Sequence, residues 1–245
     1  MKQVIKSIIK KTLKVFNLRL SYYNGHNKHN KSRLLKIIDD NNINIIFDVG
    51  ANNGQFGLEL LQNDFKGKII SFEPTVHAHF ELVKLSRKYP NWIVYPRVAL
   101  AEKNSTGKIN VAGNSGLSSS LLDMKSTHKE SAPDSLYVSS EDVKLITLDS
   151  IFNNYVMNND EVLIKIDVQG YEEQVLIGAI NSIKKVRAVK IECSLVSLYE
   201  GDKTYEFYFD WLKKLGFVLF DLDPGHAHPV TGRLLQFDAI FVRKK

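Results

Sequence analysis

The chain has 245 residues, 44% of them hydrophobic and 24% charged, which excludes a disordered chain and allows one α/β domain with a full core. Its lone cysteine, Cys193, excludes an intrachain disulfide and a multi-cysteine zinc site, and fits a reducing, cytoplasmic compartment. The net charge of +6 is unevenly spread: residues 1–38 carry ten Lys and Arg and no acid, leaving −4 for the rest, so the body lacks the basic face that nucleic-acid binding usually needs.

In chain order, Ile5, Ile9, Leu13, Phe16 and Leu20 recur every three or four residues and predict an amphipathic helix over 2–20. Lys2, Lys6, Lys10 and Lys14 form a basic row beside that stripe. Such a helix packs on the domain or a partner, or makes a peripheral contact with anionic lipid through residues 1–20. No apolar run reaches the roughly 18–20 residues needed to span a bilayer, and the N-terminus lacks the continuous apolar stretch of a secretory signal. Residues 21–31 are polar and loop-like, and Leu34 to Asp40 reads as a short helix. We therefore divide the chain into a basic N-terminal arm, 1–40, and a main domain, 41–245.

Within that domain strands are predicted at 44–49, 68–73, 92–98, 161–167, 187–193, 216–222 and 236–243, and helices at 55–63, 76–88, 171–184 and 204–215. Alternation of this kind builds a mostly parallel sheet covered on both faces. Between the last two strands lies only a Pro/Gly-rich loop, so that pair is expected to be antiparallel. Residues 100–145 break the rhythm with strand-like pieces around a Ser-rich loop, predicting a small β insertion with a mobile cover. The expected fold is α/β, Rossmann-like and seven-stranded, with a terminal antiparallel β-hairpin.

The cofactor reading comes from Ile45-Ile46-Phe47-Asp48-Val49-Gly50-Ala51-Asn52-Asn53-Gly54 and from Glu73-Pro74, which ends the next strand. A strand–turn–helix–strand unit of this form holds an adenosine-containing cofactor, with the second-strand carboxylate accepting the ribose hydroxyls. Asn52 stands where a dinucleotide-binding turn has its second glycine. Asp48 at the strand tip suits the cationic methionine end of S-adenosylmethionine (SAM) and would repel a pyrophosphate. Asp48, Gly50, Asn52 and Gly54 are assigned to the methionine end, Glu73 to the ribose, and Ala99 with Leu100 to the adenine.

Several blocks then fall into one pattern: Phe47 to Gly54, Phe72-Glu73-Pro74, Ser118-Ser119-Ser120-Leu121, Leu148-Asp149, Ile164-Lys165-Ile166-Asp167-Val168-Gln169-Gly170-Tyr171-Glu172, Ile191-Glu192 and Thr231 to Asp238. Together, over roughly 45–243, they resemble the FkbM-type methyltransferases. The resemblance implies SAM-dependent O-methylation, commonly of sugar hydroxyls on polyketides, glycolipids or surface polysaccharides. Gln169 and Tyr171 stand where members often carry Glu and Ala or Phe.

Asp167 and Glu192 fall at carboxyl ends of predicted strands, where open α/β sheets bind ligands. Asp167 can orient the SAM ammonium, act as base, or ligate a divalent cation such as Mg2+ that acidifies an acceptor hydroxyl. Glu172 fits the first turn of a helix. His226, in the loop before the last strand, is a candidate base. The pairs His226/His228 and His77/His79 lack further ligands, so no metal site is assigned, and His77 and His79 read as helix residues. Two other functions stay open: an RNA or protein methyltransferase recruited by the arm, and a catalytically silent SAM- or nucleotide-binding scaffold. The acidic body disfavours RNA, and the presence of Asp48 and Glu73 disfavours silence. Asp167-Val168-Gln169-Gly170 also occupies the place of an Asn/Asp-Pro-Pro-Tyr N-methylation motif.

Overall fold

In the computed structural model, which describes residues 33–244, the continuous apolar runs become the buried centre of a sheet. The strands β1 (Ile45–Val49), β2 (Lys68–Phe72), β3 (Trp92–Val94), β7 (Val162–Ile166) and β8 (Ala188–Ser194) lie parallel. β10 (Gln236–Arg243) runs antiparallel to β8 and to the edge strand β9 (Phe217–Pro224). The order is β3-β2-β1-β7-β8-β10-β9; the parallel strands and the antiparallel last pair are as the alternation and the connecting loop predict. All five residues of β1 and of β7 are buried, because helices cover both faces.

One face packs on α1 (Arg33–Asp40), α2 (Gln55–Gln62) and α3 (Val76–Ser86) through Leu35, Ile38, Leu60 and Leu82. The other packs on α5 (Glu172–Ile177) and α6 (Tyr205–Lys214) through Val175, Leu176, Tyr208 and Leu212. Beneath it Phe47 stacks on Phe152 at 5.3 Å and on Phe72 at 6.3 Å between ring centroids. Each such ring contributes about 1.5–3 kcal/mol by burial.

Three expectations are corrected. Because Leu35, Ile37 and Ile38 of α1 belong to the core, the domain includes residues from Arg33 rather than starting at 41. The helix expected over 171–184 is two pieces, α5 and a 3-10 turn at Ser182–Lys185. Asp149 explains the break: its carboxylate accepts from the backbone N–H groups of Asn181 (3.0 Å) and Ser182 (2.7 Å), capping a new turn. The strand expected over 92–98 stops at Val94; Ala99–Leu100 form β4, which leaves the main sheet.

β4, β5 (Ser105–Ala112) and β6 (Tyr137–Ile146) make a separate three-stranded sheet, the predicted insertion. Its cover carries a short helix, α4 (Ser126–Ser131), and has specific ties where mobility was expected. Lys125 N donates to Leu198 O at 2.9 Å, and Met124 packs with Leu198, Tyr199 and Leu235. Among the described residues no helix is long and apolar enough to cross a membrane. The helix predicted over 2–20 lies outside the described residues.

Candidate active site

Strand order reverses between β1 and β7, and the carboxyl ends of β2, β1, β7 and β8 meet there, the position at which open α/β sheets bind ligands. After β1 the chain turns at Gly50 (φ 76°), and the N–H groups of Gly50 and Ala51 both donate to Phe72 O, at 3.1 and 3.0 Å. Asn52 N donates to Glu73 Oε2 at 2.8 Å. Glu73 Oε1 accepts from Thr75 N (2.9 Å) and Thr75 Oγ1 (2.6 Å). Burial pushes the Glu73 carboxyl up, and these hydrogen bonds from Thr75 and Asn52 oppose the shift. A carboxylate offers about four lone-pair sites; among the described residues three are taken, which leaves one on Oε2. Packing also requires a glycine at 54: a Cβ there would lie 2.8 Å from atoms of both Leu82 and Trp92.

A polar row crosses the sheet below this turn. Trp92 Nε1 donates to Ser71 Oγ (2.9 Å), and Ser71 Oγ donates to Asp48 Oδ2 (3.2 Å). Asp48 stands in register with Ser71 on one side and Lys165 on the other. Lys165 Nζ lies 3.3 Å from Asp48 Oδ1 and 3.4 Å from Asp167 Oδ2, and donates to Gly50 O at 2.8 Å. Burial raises the Asp48 carboxyl, with Lys165 opposing. Burial works against the Lys165 ammonium too, but Asp167 and Asp48 outweigh it and hold the lysine above its usual range. Asp48 has no exposed surface, so its charge meets Lys165 and not the cleft. Asp167, with 35% of its side chain exposed, is the carboxylate of this group that reaches the cleft. Although burial pushes Asp167 up, Lys165 and the hydrogen bond from Gln169 bring it below the ordinary value.

The Gln169 amide joins the two candidate acids. Its Nε2 donates to Asp167 Oδ1 at 2.9 Å and to Glu192 Oε2 at 2.8 Å, while its Oε1 accepts from Tyr199 OH at 2.8 Å. Gln236 Nε2 also donates to Glu192 Oε2, at 2.8 Å. Burial, then the Asp167, Glu172 and Asp238 carboxylates, push Glu192 well above the usual carboxylate range. Glu172 is buried, and its Oε1 anchors the turn by accepting from Val168 N (3.0 Å) and Gly170 N (3.2 Å). Burial raises it to about 7.

The insertion closes over this group. Ser120 Oγ donates to Gln169 O (2.7 Å), and Asn52 Nδ2 donates to Ser115 O (3.4 Å). Arg97 donates to Pro74 O (2.8 Å) and Asp142 O (2.9 Å), pinning β6 to the loop after Glu73. Asn52, Ser115 and Gln169 all have left-handed φ, at 46°, 60° and 56°. Such residues cost of order 1–3 kcal/mol each and cluster at functional sites.

The remaining candidates lie elsewhere. Ala99 is buried in the small core of the insertion with Ile109 and Val143. His226 Nε2 lies 3.0 Å from Ser131 Oγ and its ring stacks on His128 at 6.0 Å; these contacts join it to α4, not to Asp167 or Glu192. His79 Nε2 meets Tyr95 O at 2.9 Å, a helix residue as expected. Sequence reading missed Lys165, although a lone lysine in the apolar strand Val162-Leu163-Ile164-Lys165-Ile166 is a usable signal: a buried charge needs partners. It also missed His128, which is 2% exposed with no hydrogen-bond partner for Nδ1 among the described residues.

Burial, with the His226 ring adding, pushes the His128 pKa down from 6.5 to about 4. The unfolded chain therefore binds a proton that the folded one refuses between those values, and stability is lost as pH falls through that window. Thermal midpoints followed by fluorimetry are expected to drop more steeply from pH 6.5 to 4 in the wild type than in His128→Phe. Equal slopes would remove His128 as the cause.

Topology and site together have the form of the Rossmann-like class I SAM-dependent methyltransferases: an acid at the β2 end, and a glycine turn with a partly exposed carboxylate across the switch point. The chain belongs to the FkbM methyltransferase family, for residues 48–219 match its methyltransferase FkbM domain. No curated protein sequence matches the chain. Among solved structures it is similar to TehB from Haemophilus influenzae, with 11% identity, TM-score 0.49, and coverage of 89% of this chain and 65% of that one. It is also similar to TrmK from M. capricolum bound to S-adenosyl-homocysteine (12%, TM-score 0.45, 87% and 68%). A third is an rRNA methylase from Streptococcus thermophilus (10%, TM-score 0.46, 87% and 95%).

Proposed function

We propose that this protein transfers the methyl group of SAM to a hydroxyl, most suitably a sugar hydroxyl of a glycan, glycolipid or secondary metabolite. The observation that carries the reading is the Asp167 carboxylate, partly exposed at the switch point and fixed by Lys165 and Gln169. Glu73 would hold the ribose, the Gly50–Asn52 turn the methionine end, and Asp167 would face the sulfonium side. SAM supplies an activated methyl on a cationic sulfur. A hydroxyl must lose a proton as it attacks, and an ionised carboxylate placed beside it takes that proton. Because Lys165 keeps Asp167 ionised while its neighbours raise Glu192, one carboxylate is the base and the other holds the Gln169 bridge. The −4 charge outside residues 1–38 favours a glycan over RNA.

Among the described residues no group of three or more His, Cys, Asp or Glu side chains is arranged to hold a metal ion. Asp167 is flanked by the Lys165 ammonium and the Gln169 amide N–H, donors that do not fit a bound cation such as Mg2+. The basic arm is proposed as a peripheral contact for anionic lipid; unchanged vesicle partitioning after deletion of residues 1–20 would refute it.

Calorimetric titration of the full chain with SAM, and with NAD as control, is expected to show micromolar SAM binding that Glu73→Ala reduces about tenfold or more. Labelled SAM is then offered with hydroxylated glycans and with RNA, each with and without Mg2+. Transfer to RNA alone would refute the glycan reading, and absence of SAM binding would refute both.

A further inference from the structure

We infer that Lys165 is a positioning residue of this site, a buried ammonium that ties the cofactor turn on β1 to the base at the end of β7. The inference rests on the cofactor reading above and goes beyond it, because neither the turn nor the base by itself requires a lysine.

The geometry is specific. Lys165 sits in the middle sheet with 7% of its side chain exposed. Four groups surround the ammonium: it donates to the Gly50 carbonyl at 2.8 Å and the Val49 carbonyl at 3.5 Å, and forms ion pairs with Asp48 Oδ1 at 3.3 Å and Asp167 Oδ2 at 3.4 Å. The Phe56 ring, at 5.9 Å to its centroid, covers the remaining side. Gly50 O belongs to the turn that approaches the cofactor, and Asp167 is the carboxylate that reaches the cleft. One side chain thus sets the distance between them.

A buried cation also costs desolvation, which its partners must offset. If Lys165 only neutralised Asp48, the pair would be replaceable by an uncharged one without consequence above the sheet. If it positions, the turn and Asp167 lose their anchor even when the charges are balanced. The two roles therefore separate in a set of variants.

The test compares full-length wild type, Asp48→Asn, Lys165→Met and the double variant by calorimetric SAM titration and thermal unfolding. Lys165→Met leaves two carboxylates facing each other and is expected to unfold at lower temperature. The double variant removes one of those charges and is expected to regain the midpoint of Asp48→Asn. Its SAM affinity is nevertheless expected to stay about tenfold or more below that of Asp48→Asn, the effect of losing a charged hydrogen-bond donor. A double variant that binds SAM as tightly as Asp48→Asn would overturn the inference and leave Lys165 as a counter-ion. A double variant that does not fold would make it a folding residue and overturn the inference equally. A wild type that fails to bind SAM would refute the cofactor reading itself and this inference with it, an outcome separate from the other two.

Discussion

Gly50→Ala is expected to be the most damaging small substitution in the chain. A Cβ built on Gly50 lies 1.8 Å from the carbonyl oxygen of Asp167 and 2.9 Å from its carbonyl carbon. The backbone itself would have to part, because Asp167 N is hydrogen-bonded to Val49 O at 3.1 Å, directly below. Alanine would in addition hold the left-handed φ of 76°, at roughly 1–2 kcal/mol. We expect a stability loss of about 3–5 kcal/mol in urea unfolding followed by circular dichroism, with loss of SAM binding because the turn moves. Gly201→Ala is the matched control: φ there is 82°, yet nothing lies within 4 Å of the added Cβ. It should lose only the conformational part, roughly 1–2 kcal/mol. Equal losses in the two variants would mean that contact with Asp167 does not govern the turn.

Asp167→Asn is expected to have the largest effect on turnover with the least effect on folding. The amide keeps the size of the carboxylate and retains one oxygen for Gln169 or Lys165, but it cannot take a proton. Removal of a general base costs about 10²–10⁴ in rate, read as kcat in single-turnover and steady-state methyl-transfer assays once an acceptor has been found. SAM affinity should fall less than kcat, since Glu73 and the Gly50–Asn52 turn remain. Because Lys165 holds Asp167 below the usual range, the acid limb of the wild-type pH profile is expected below neutral pH. A kcat within threefold of wild type would remove Asp167 from proton transfer and leave it as part of the cofactor cradle.

These two residues also show how far the sequence can be read. Asp48-Val49-Gly50 and Glu73-Pro74 were legible because a turn and a strand end are local: neighbouring residues suffice to mark an apolar run, its termination and the residue that follows. The same holds for the hydrophobic runs of β1, β2, β7, β8 and β10 and for the amphipathic pattern of α6. It failed where a remote group competes with the local pattern. Asp149 starts a new turn at Ser182 inside what reads as one helix. The packing demand on Gly54 is equally remote, since it comes from Leu82 and Trp92.

The sequence by itself determined the sheet, the family pattern and the pair of acids at the strand ends. Only the tertiary structure decided what each acid faces. Lys165 and Gly50 are 115 positions apart and meet because β1 and β7 pair in one register. That register turns Asp48 into a buried partner of Lys165, presents Asp167 to the cleft and lets Gln169 bridge it to Glu192. His226 is placed on α4 by the same long-range packing. Side-chain period is a property of a segment, whereas the partner of a buried charge is a property of the whole sheet.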